Sequence, residues 1–340
     1  MKLTIKHIIP CLVAALSLAS CDDWTDVEAL DVIDPTIENT NPELYAKYLA
    51  ALRQYKQTEH KVTYAWFDNS VKNTYSRAHH VSDVPDSVDV ISLMSPADIT
   101  DTELAEIKQV REQKGTRFIY DIDFDAIRAD YNSYIEQFAA ENPDGEEEPV
   151  AFNDYLLEAI STQLSYCSRY EFDGICYRFT GKHTLHLTKD ELNEYLAQAG
   201  IFAGYLMDWH RRNADKMLVF AGKPQNVLDK SLFDECAMVF VSDGLEATNV
   251  DLFSYYLALA KSEGVPVEKL GMMASCTSLD ENDLKSGWFS DGSRALASLG
   301  DWAATHGVAG IGIYNISSDY FNNTYSLSRA AIQAISPAVK

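Results

Sequence analysis

The chain has 340 residues, of which 46% are apolar and 23% charged, with 16 Gly and 10 Pro. That composition excludes a disordered, collagen-like or disulfide-scaffold protein and provides for a sizeable core. Asp and Glu number 51 against 28 Lys and Arg, a net charge of −23, which repels polyanions bound through phosphate neutralisation and excludes nucleic acid as a partner. The 19 Tyr and 5 Trp suit neutral ligands that stack on rings, such as sugars.

The N-terminus reads as an export signal over 1–20: Lys2 and Lys6 give a positive start, Ile8 to Leu18 an apolar stretch, and Leu18-Ala19-Ser20 precede Cys21. The apolar stretch is too short to span about 30 Å of hydrocarbon. Leu18-Ala19-Ser20-Cys21 resembles a bacterial lipobox, in which a lipid is attached to the cysteine that becomes the new N-terminus. An ordinary secretory signal with a chance cysteine is the alternative. Loss of residues 1–20 removes two lysines and no acid and leaves a net charge of −25. The acidic stretch 22–28, followed by Pro35 and Pro42, reads as a tether over 21–42 within an N-terminal segment reaching 57. It resembles the acidic segment behind the lipidated cysteine of surface-exported lipoproteins of Bacteroidetes. Cys167, Cys176, Cys236 and Cys276 form no CxxC or His/Cys pattern, so buried thiols are expected, with no disulfide and no metal.

From about residue 60, short apolar β-rich runs alternate with amphipathic helical patterns, the signature of βα units and a parallel sheet. The first run is 62–67, with a poorly helical crossover over 68–87. The run 88–93 precedes a helix over 97–113, the run 117–122 a solvated loop over 139–149 and a helix over 150–168, and the run 172–177 a helix over 187–213. Then come 217–220 with a helix at 225–233, 236–241 with 246–263, 270–274 with 290–305, and 308–314 with 325–336. Thr188 before Lys189-Asp190-Glu191 makes a capping box, and Asp291 before Gly292-Ser293-Arg294 is a second start signal. Eight strands with helical crossovers predict a (β/α)8 TIM barrel, a single α/β domain over 58–340. Gly310 and Gly312 suit its tightly packed wall. A doubly wound sheet is the rival, but the chain lacks any glycine-rich phosphate loop, and no cofactor is expected.

In such a barrel, function sits at the C-terminal ends of the strands. The residues there are Trp66, Asp68 and Asn69; Ser95; Asp121, Asp123 and Asp125; Arg178 and Thr180; Ser242 and Asp243; Ser275, Cys276 and Thr277; Tyr314 and Asn315. For each aspartate, a helix cap or loop carboxylate is the plainer role. The fourth run, Tyr170-Glu171-Phe172-Asp173-Gly174-Ile175-Cys176-Tyr177-Arg178-Phe179-Thr180, resembles the strand-four signature DGxDxDxE of family 18 glycoside hydrolases, the chitinases and endo-β-N-acetylglucosaminidases. Phe172-Asp173-Gly174-Ile175 fits, but the second aspartate of the pattern falls on Cys176, the third on Arg178 and the glutamate on Thr180. With the strand plan over roughly 60–336 and the lipobox, the likeness is to family 18-like lipoproteins of Bacteroidetes glycan-utilisation systems. It implies lipid anchoring in the outer membrane at the cell surface, an oligosaccharide ligand, and a glycan importer and glycosidases as neighbours.

In that family the glutamate protonates the leaving oxygen, and the preceding aspartate orients the substrate's N-acetyl group for attack on the anomeric carbon. Threonine holds its proton at any physiological pH, and an arginine opposes the positive charge of an oxocarbenium-like transition state. Strand alternation points Cys176, Arg178 and Thr180 to the same side as the catalytic row, so the resemblance with these departures implies an inactive site. Arg178 has two readings: a donor to sugar hydroxyls or a sugar carboxylate, or a barrel plug neutralised by Asp121, Asp123 or Asp243. Trp66, Trp288 and Tyr314 are the stacking candidates, with Asp121, Asp243 and Asn315 as polar contacts. Core packing competes for Trp66 and Tyr314, whereas Trp288, behind Lys285-Ser286-Gly287, is expected to be an exposed platform. Three functions stay open: non-catalytic binding of N-acetylglucosamine-containing glycans, hydrolysis with an acid relocated to Asp121, Asp123 or Asp243, and a structural barrel that binds another protein.

Overall fold

The computed structural model describes residues 37–336 apart from 146 and 183. The export signal, Cys21 and the tether as far as 36 lie outside the described residues. Of the described residues, 37–48 fall in a first unit, with helix α1 (Ile37–Thr40) and the first turns of α2 (Pro42–Tyr55). These helices occupy the end of the segment read as tether. Pro42 opens α2, where a missing N–H costs nothing.

From Leu49 onward the chain forms the second unit. Its strands are β1 (Val62–Phe67), β2 (Val90–Leu93), β3 (Arg117–Asp123), β4 (Gly174–Phe179), β5 (Met217–Gly222), β6 (Met238–Val241), β7 (Leu270–Ser275) and β8 (Gly310–Tyr314). They pair in parallel in that order, and β8 returns to β1 to close the barrel. Each of the eight expected runs is a strand. The helices between them are α3 (Asp101–Lys114), α4 (Phe124–Glu141), α5 (Phe152–Arg169), α6 (Lys189–Arg212), α7 (Leu232–Glu235), α8 (Asp251–Ala260), α9 (Ala295–Thr305), α10 (Ile316–Asp319) and α11 (Ser326–Ile335).

Three local expectations need correction. Helix α4 runs through the first residues of the stretch read as a loop over 139–149. The helix expected at 225–233 is instead a 3-10 turn over Pro224–Asn226 followed by the single turn of α7; the Asn226 side chain bonds the Thr180 carbonyl. Helix α9 starts at Ala295 rather than behind Asp291, whose carboxylate takes the Ser293 N–H and hydroxyl in a turn of its own. The capping box at Thr188 stands: its hydroxyl accepts the Glu191 N–H, and the Glu191 carboxylate accepts the Thr188 N–H. All four cysteines among the described residues are free and buried.

Strand alternation divides the core in two. One set, including Ala65, Phe67, Ile91, Phe118, Tyr120, Ile175 and Tyr177, faces the helices. The other fills the barrel interior with Tyr64, Trp66, Val90, Ile119, Cys176, Val219, Ala221, Met238, Phe240 and Met273. Gly312 makes this filling feasible, because a Cβ there would come within 2.9 Å of Met273 and 3.0 Å of the Trp66 indole.

At the N-terminal end, Asp89 joins the starts of β1 and β2. Its Oδ2 accepts the Thr63 N–H at 2.8 Å, and its Oδ1 lies 3.0 Å from His60 Nε2. The hydrogen bond to Asp89 raises the His60 pKa above 6.5, against the opposing effect of burial. Protonated His60 therefore contributes stability that is fully present below pH 6.5 and is lost as pH rises through the raised pKa. In denaturant unfolding, the stability gap between wild type and His60→Gln is expected to be widest below pH 6.5 and to narrow as the pH is raised. A gap that does not change with pH would reject the pairing.

Candidate functional site

The site is built from the strand ends of β1 to β4 and β8, where polar inward positions follow the apolar interior. Asp121, on β3 opposite Cys176 of β4, is its hub. Its Oδ1 accepts from the Ser92 hydroxyl at 2.7 Å, and its Oδ2 from the Trp66 indole N–H at 2.8 Å and Arg178 Nη1 at 2.9 Å. Arg178 Nε also lies 3.2 Å from Asp123 Oδ2, and its guanidinium carbon stands 5.3 Å from the centre of the Tyr314 ring. Burial opposes the charge on Arg178, but Asp121 and Asp123 outweigh it and hold the guanidinium firmly protonated.

The three aspartates of the β3 end have separate duties. Asp123 is also the N-cap of α4, its Oδ1 taking the N–H groups of Asp125 and Ala126 at 2.8 and 3.1 Å. Burial raises its pKa despite Arg178. Asp125 accepts the Thr180 N–H at 2.9 Å and so fixes the chain where β4 ends. Asp243, 5% exposed in the turn behind β6, pairs with Lys223 Nζ at 3.1 Å and accepts from Gln225 Nε2 at 3.1 Å. Lys223 was not among the expected residues; it follows β5 directly, which is the signal that could have found it.

Of the stacking candidates, Trp66 is wholly buried among Tyr64, Phe240 and Tyr314, so it is a core residue and offers no face to a ligand. Tyr314 is half-buried at the mouth. Trp288 is not an exposed platform. Arg294 forms an isolated antiparallel bridge with it and lays its guanidinium 3.3 Å from the ring centre, while Arg294 Nη1 donates to Thr277 Oγ1 at 2.6 Å. The Asn315 amide oxygen accepts the Ser317 hydroxyl at the start of α10 and is occupied in that turn. Asn69 and Ser95 bond one another through backbone and side chain, and Glu103 of α3 receives Asn69 and Lys72.

Asp173 sits at the other end of β4. Its Oδ2 accepts the Phe118 N–H at 2.7 Å and Arg111 Nε at 3.1 Å. Gly174 abuts the Met217 backbone so closely that no Cβ fits. Further along, Cys176 lies within the barrel, and burial together with Asp121 pushes its thiol well above the ordinary range. Thr180 carries no carboxyl, and the neighbouring carboxylates are engaged by hydrogen-bond donors. Among the described residues no group of three or more His, Cys, Asp or Glu could hold a metal ion, and no helix is long and apolar enough to cross a membrane.

Eight parallel strands closed on themselves, with polar residues gathered at the ends of β3, β4 and β8, define a (β/α)8 barrel with its candidate site at the C-terminal face. The family profile described as "Glycoside hydrolase family 18, BT1044-like" matches residues 25–334, and the chain belongs to that family. Among solved structures it is similar to a selenomethionine glutamate-to-glutamine variant of BT1044, at 17% identity over 88% of this chain and 95% of that one, with a TM-score of 0.59. It is also similar to an endo-β-N-acetylglucosaminidase from Cordyceps militaris, at 14% identity over 86% and 96% of the two chains with a TM-score of 0.53. The chitinase ChiB from the chitin utilization locus of Flavobacterium johnsoniae follows at 10% identity over 82% and 94%, with a TM-score of 0.51. These are likenesses of fold. No curated protein matches the chain in sequence.

Removing the guanidinium would leave Asp121 and Asp123 unpaired in a half-buried site. Arg178→Ala is expected to lower the unfolding free energy by roughly 3–5 kcal/mol, the range for breaking a buried ion pair from one side. A loss below about 1 kcal/mol, the range of surface pairs, would show that Arg178 is not the barrel's plug.

Proposed function

We propose that the protein is a non-catalytic member of its family that binds N-acetylglucosamine-containing glycans at the barrel mouth and is held at the cell surface by a lipid on Cys21. The observation that carries this reading is the pair of residues at the end of β4. Thr180 stands where the family's acid would be, and Arg178 is locked between Asp121 and Asp123 beside it. A relocated acid is the weaker alternative. Asp121 is bound by Trp66, Ser92 and Arg178, Asp123 by Arg178 and two backbone N–H groups, and Asp243 by Lys223 and Gln225. Each is turned toward donors of the protein, and Asp123, although burial raises its pKa, is tied to Arg178 and the first turn of α4 rather than free to meet a glycosidic oxygen.

Binding is supported by what the mouth leaves open. The Arg178 side chain keeps 20% of its exposure, and Tyr314 lies half-buried against it. Two aromatic side chains stand out on the loops behind the adjacent strands β1 and β8, Tyr75 at 82% and Phe321 at 56% exposure. Rings of this kind complement the apolar face of a pyranose. The names of two similar structures, an endo-β-N-acetylglucosaminidase and a chitinase, support N-acetylglucosamine chains as the ligand class. A protein partner is the second reading, favoured by the filled interior and by Leu284, 79% exposed, beside the same mouth.

Purified protein is expected to release no product from chitin oligosaccharides or N-glycans, to bind chitin oligosaccharides in calorimetric titration, and to stay inactive as Thr180→Glu while Arg178 remains. Turnover by the wild type above a buffer blank would overturn the non-catalytic reading. Absence of any binding heat would reject the glycan reading and leave the protein partner. For the anchor, the motif Leu18-Ala19-Ser20-Cys21 supports lipidation, and Cys21→Ala is expected to move the protein from the membrane fraction to the soluble one. Retention of that variant in the membrane would reject the anchor.

A further inference from the structure

A second concavity lies at the opposite end of the barrel from the mouth, where β3, β4, β5 and β6 begin. It has a volume of about 490 Å³, and its lining includes Arg117, Asp173, His210, Asp215, Lys216 and Glu235. Three of these six are already held. Asp173 accepts from Arg111 and the Phe118 N–H, Lys216 donates to the Phe172 carbonyl, and Glu235 Oε1 accepts from Arg211. The other three are uncommitted. Arg117 and Asp215 are exposed, and among the described residues their charged ends have no hydrogen-bond or ion-pair partner. His210 Nδ1 is buried and meets no partner.

The local charge is far less negative than that of the chain. The lining carries Arg117 and Lys216 against Asp173, Asp215 and Glu235, and with Arg111, Arg211 and Asp208 behind it the cluster balances at four charges of each sign, in a protein of net charge −23. A free guanidinium is a fork shaped for a carboxylate. A free carboxylate accepts hydroxyl protons, an imidazole nitrogen can donate or accept, and a buried one without a partner has a hydrogen bond still to make. The volume lies in the range of small-molecule sites, roughly 300–1,000 Å³. The lining has no Phe, Tyr or Trp, so recognition there depends on charge and hydrogen bonds rather than stacking.

We propose that this cavity binds a carboxylated sugar, with the carboxylate on Arg117 and the hydroxyls on Asp215 and His210 Nδ1. The site is independent of the mouth and of what the mouth binds. Uronic and sialic acids share this chemistry, and titration with each separates them. Titrating the full chain with glucuronate and N-acetylneuraminate is expected to give binding by at least one, weakened by added salt. Glucose, which has the hydroxyls without the carboxylate, and acetate, which has the reverse, are expected not to bind. Arg117→Gln is expected to weaken the acid sugar by roughly tenfold or more, as for loss of a charge-assisted hydrogen bond. Its melting temperature should not change, because the side chain has no partner to lose. Tyr314→Ala at the mouth should leave this affinity unaltered, and chitin oligosaccharides should not compete. Failure of both acids to bind, full affinity in Arg117→Gln, or acetate binding as well as either sugar would overturn the proposal.

Discussion

A single carboxylate organises the working end of this barrel. Asp121 takes up an indole N–H, a hydroxyl and a guanidinium at once, and each of those donors would be costly to bury without it. Trp66 can lie fully inside the barrel because its one polar atom reaches that carboxylate, and because Gly312 leaves room for the ring. Arg178 can lie above it because Asp121 and Asp123 share its charge. The interior below this layer is aromatic and sulfur-rich, with Tyr64, Phe240, Met238 and Met273 packed together. A ligand at this end is therefore met at the surface of the ion-paired layer.

Strand β4 separates what holds the fold from what performs chemistry. Its first residues match the family signature, and their contacts explain why they are needed: Asp173 secures the start of β3, and Gly174 admits the Met217 backbone. The later inward positions hold Cys176, Arg178 and Thr180, which face or contact the 121–125 segment at the end of β3. The barrel closes with no acid at any of these three positions, so its closure does not depend on the later carboxylates of the family signature.

Much of the architecture was legible in the sequence because the barrel depends on local signals. Each strand is an apolar run bounded by polar residues, and a capping box such as Thr188 with Glu191 needs only four residues to act. Helix α4 was missed because it buries only Phe124 and Ile127, too few to make an apolar stripe. The role of Asp123 was legible only in halves, since one oxygen caps a helix and the other meets Arg178. The expectation for Trp288 failed because a loop context predicts exposure, and nothing near it in sequence announces that Arg294 turns back over the ring. The cavity at the far end of the barrel left no trace, because its residues come from four segments spread between Arg117 and Ala237.

The ion-paired layer also constrains where this lineage can go. If the site is non-catalytic as proposed, hydrolysis by the family's route would require an acid at Thr180 and an aspartate in place of Arg178, and either change meets an obstacle when it comes first. If Arg178 is replaced first by a neutral residue, Asp121 and Asp123 pass through a state in which two neighbouring carboxylates face each other without a cation. An acid at Thr180 gained first sits against a permanent cation and confers nothing that selection could keep. On that reading, the pairing that lets arginine live inside the barrel acts as a mutational latch, closed against gaining the reaction one substitution at a time.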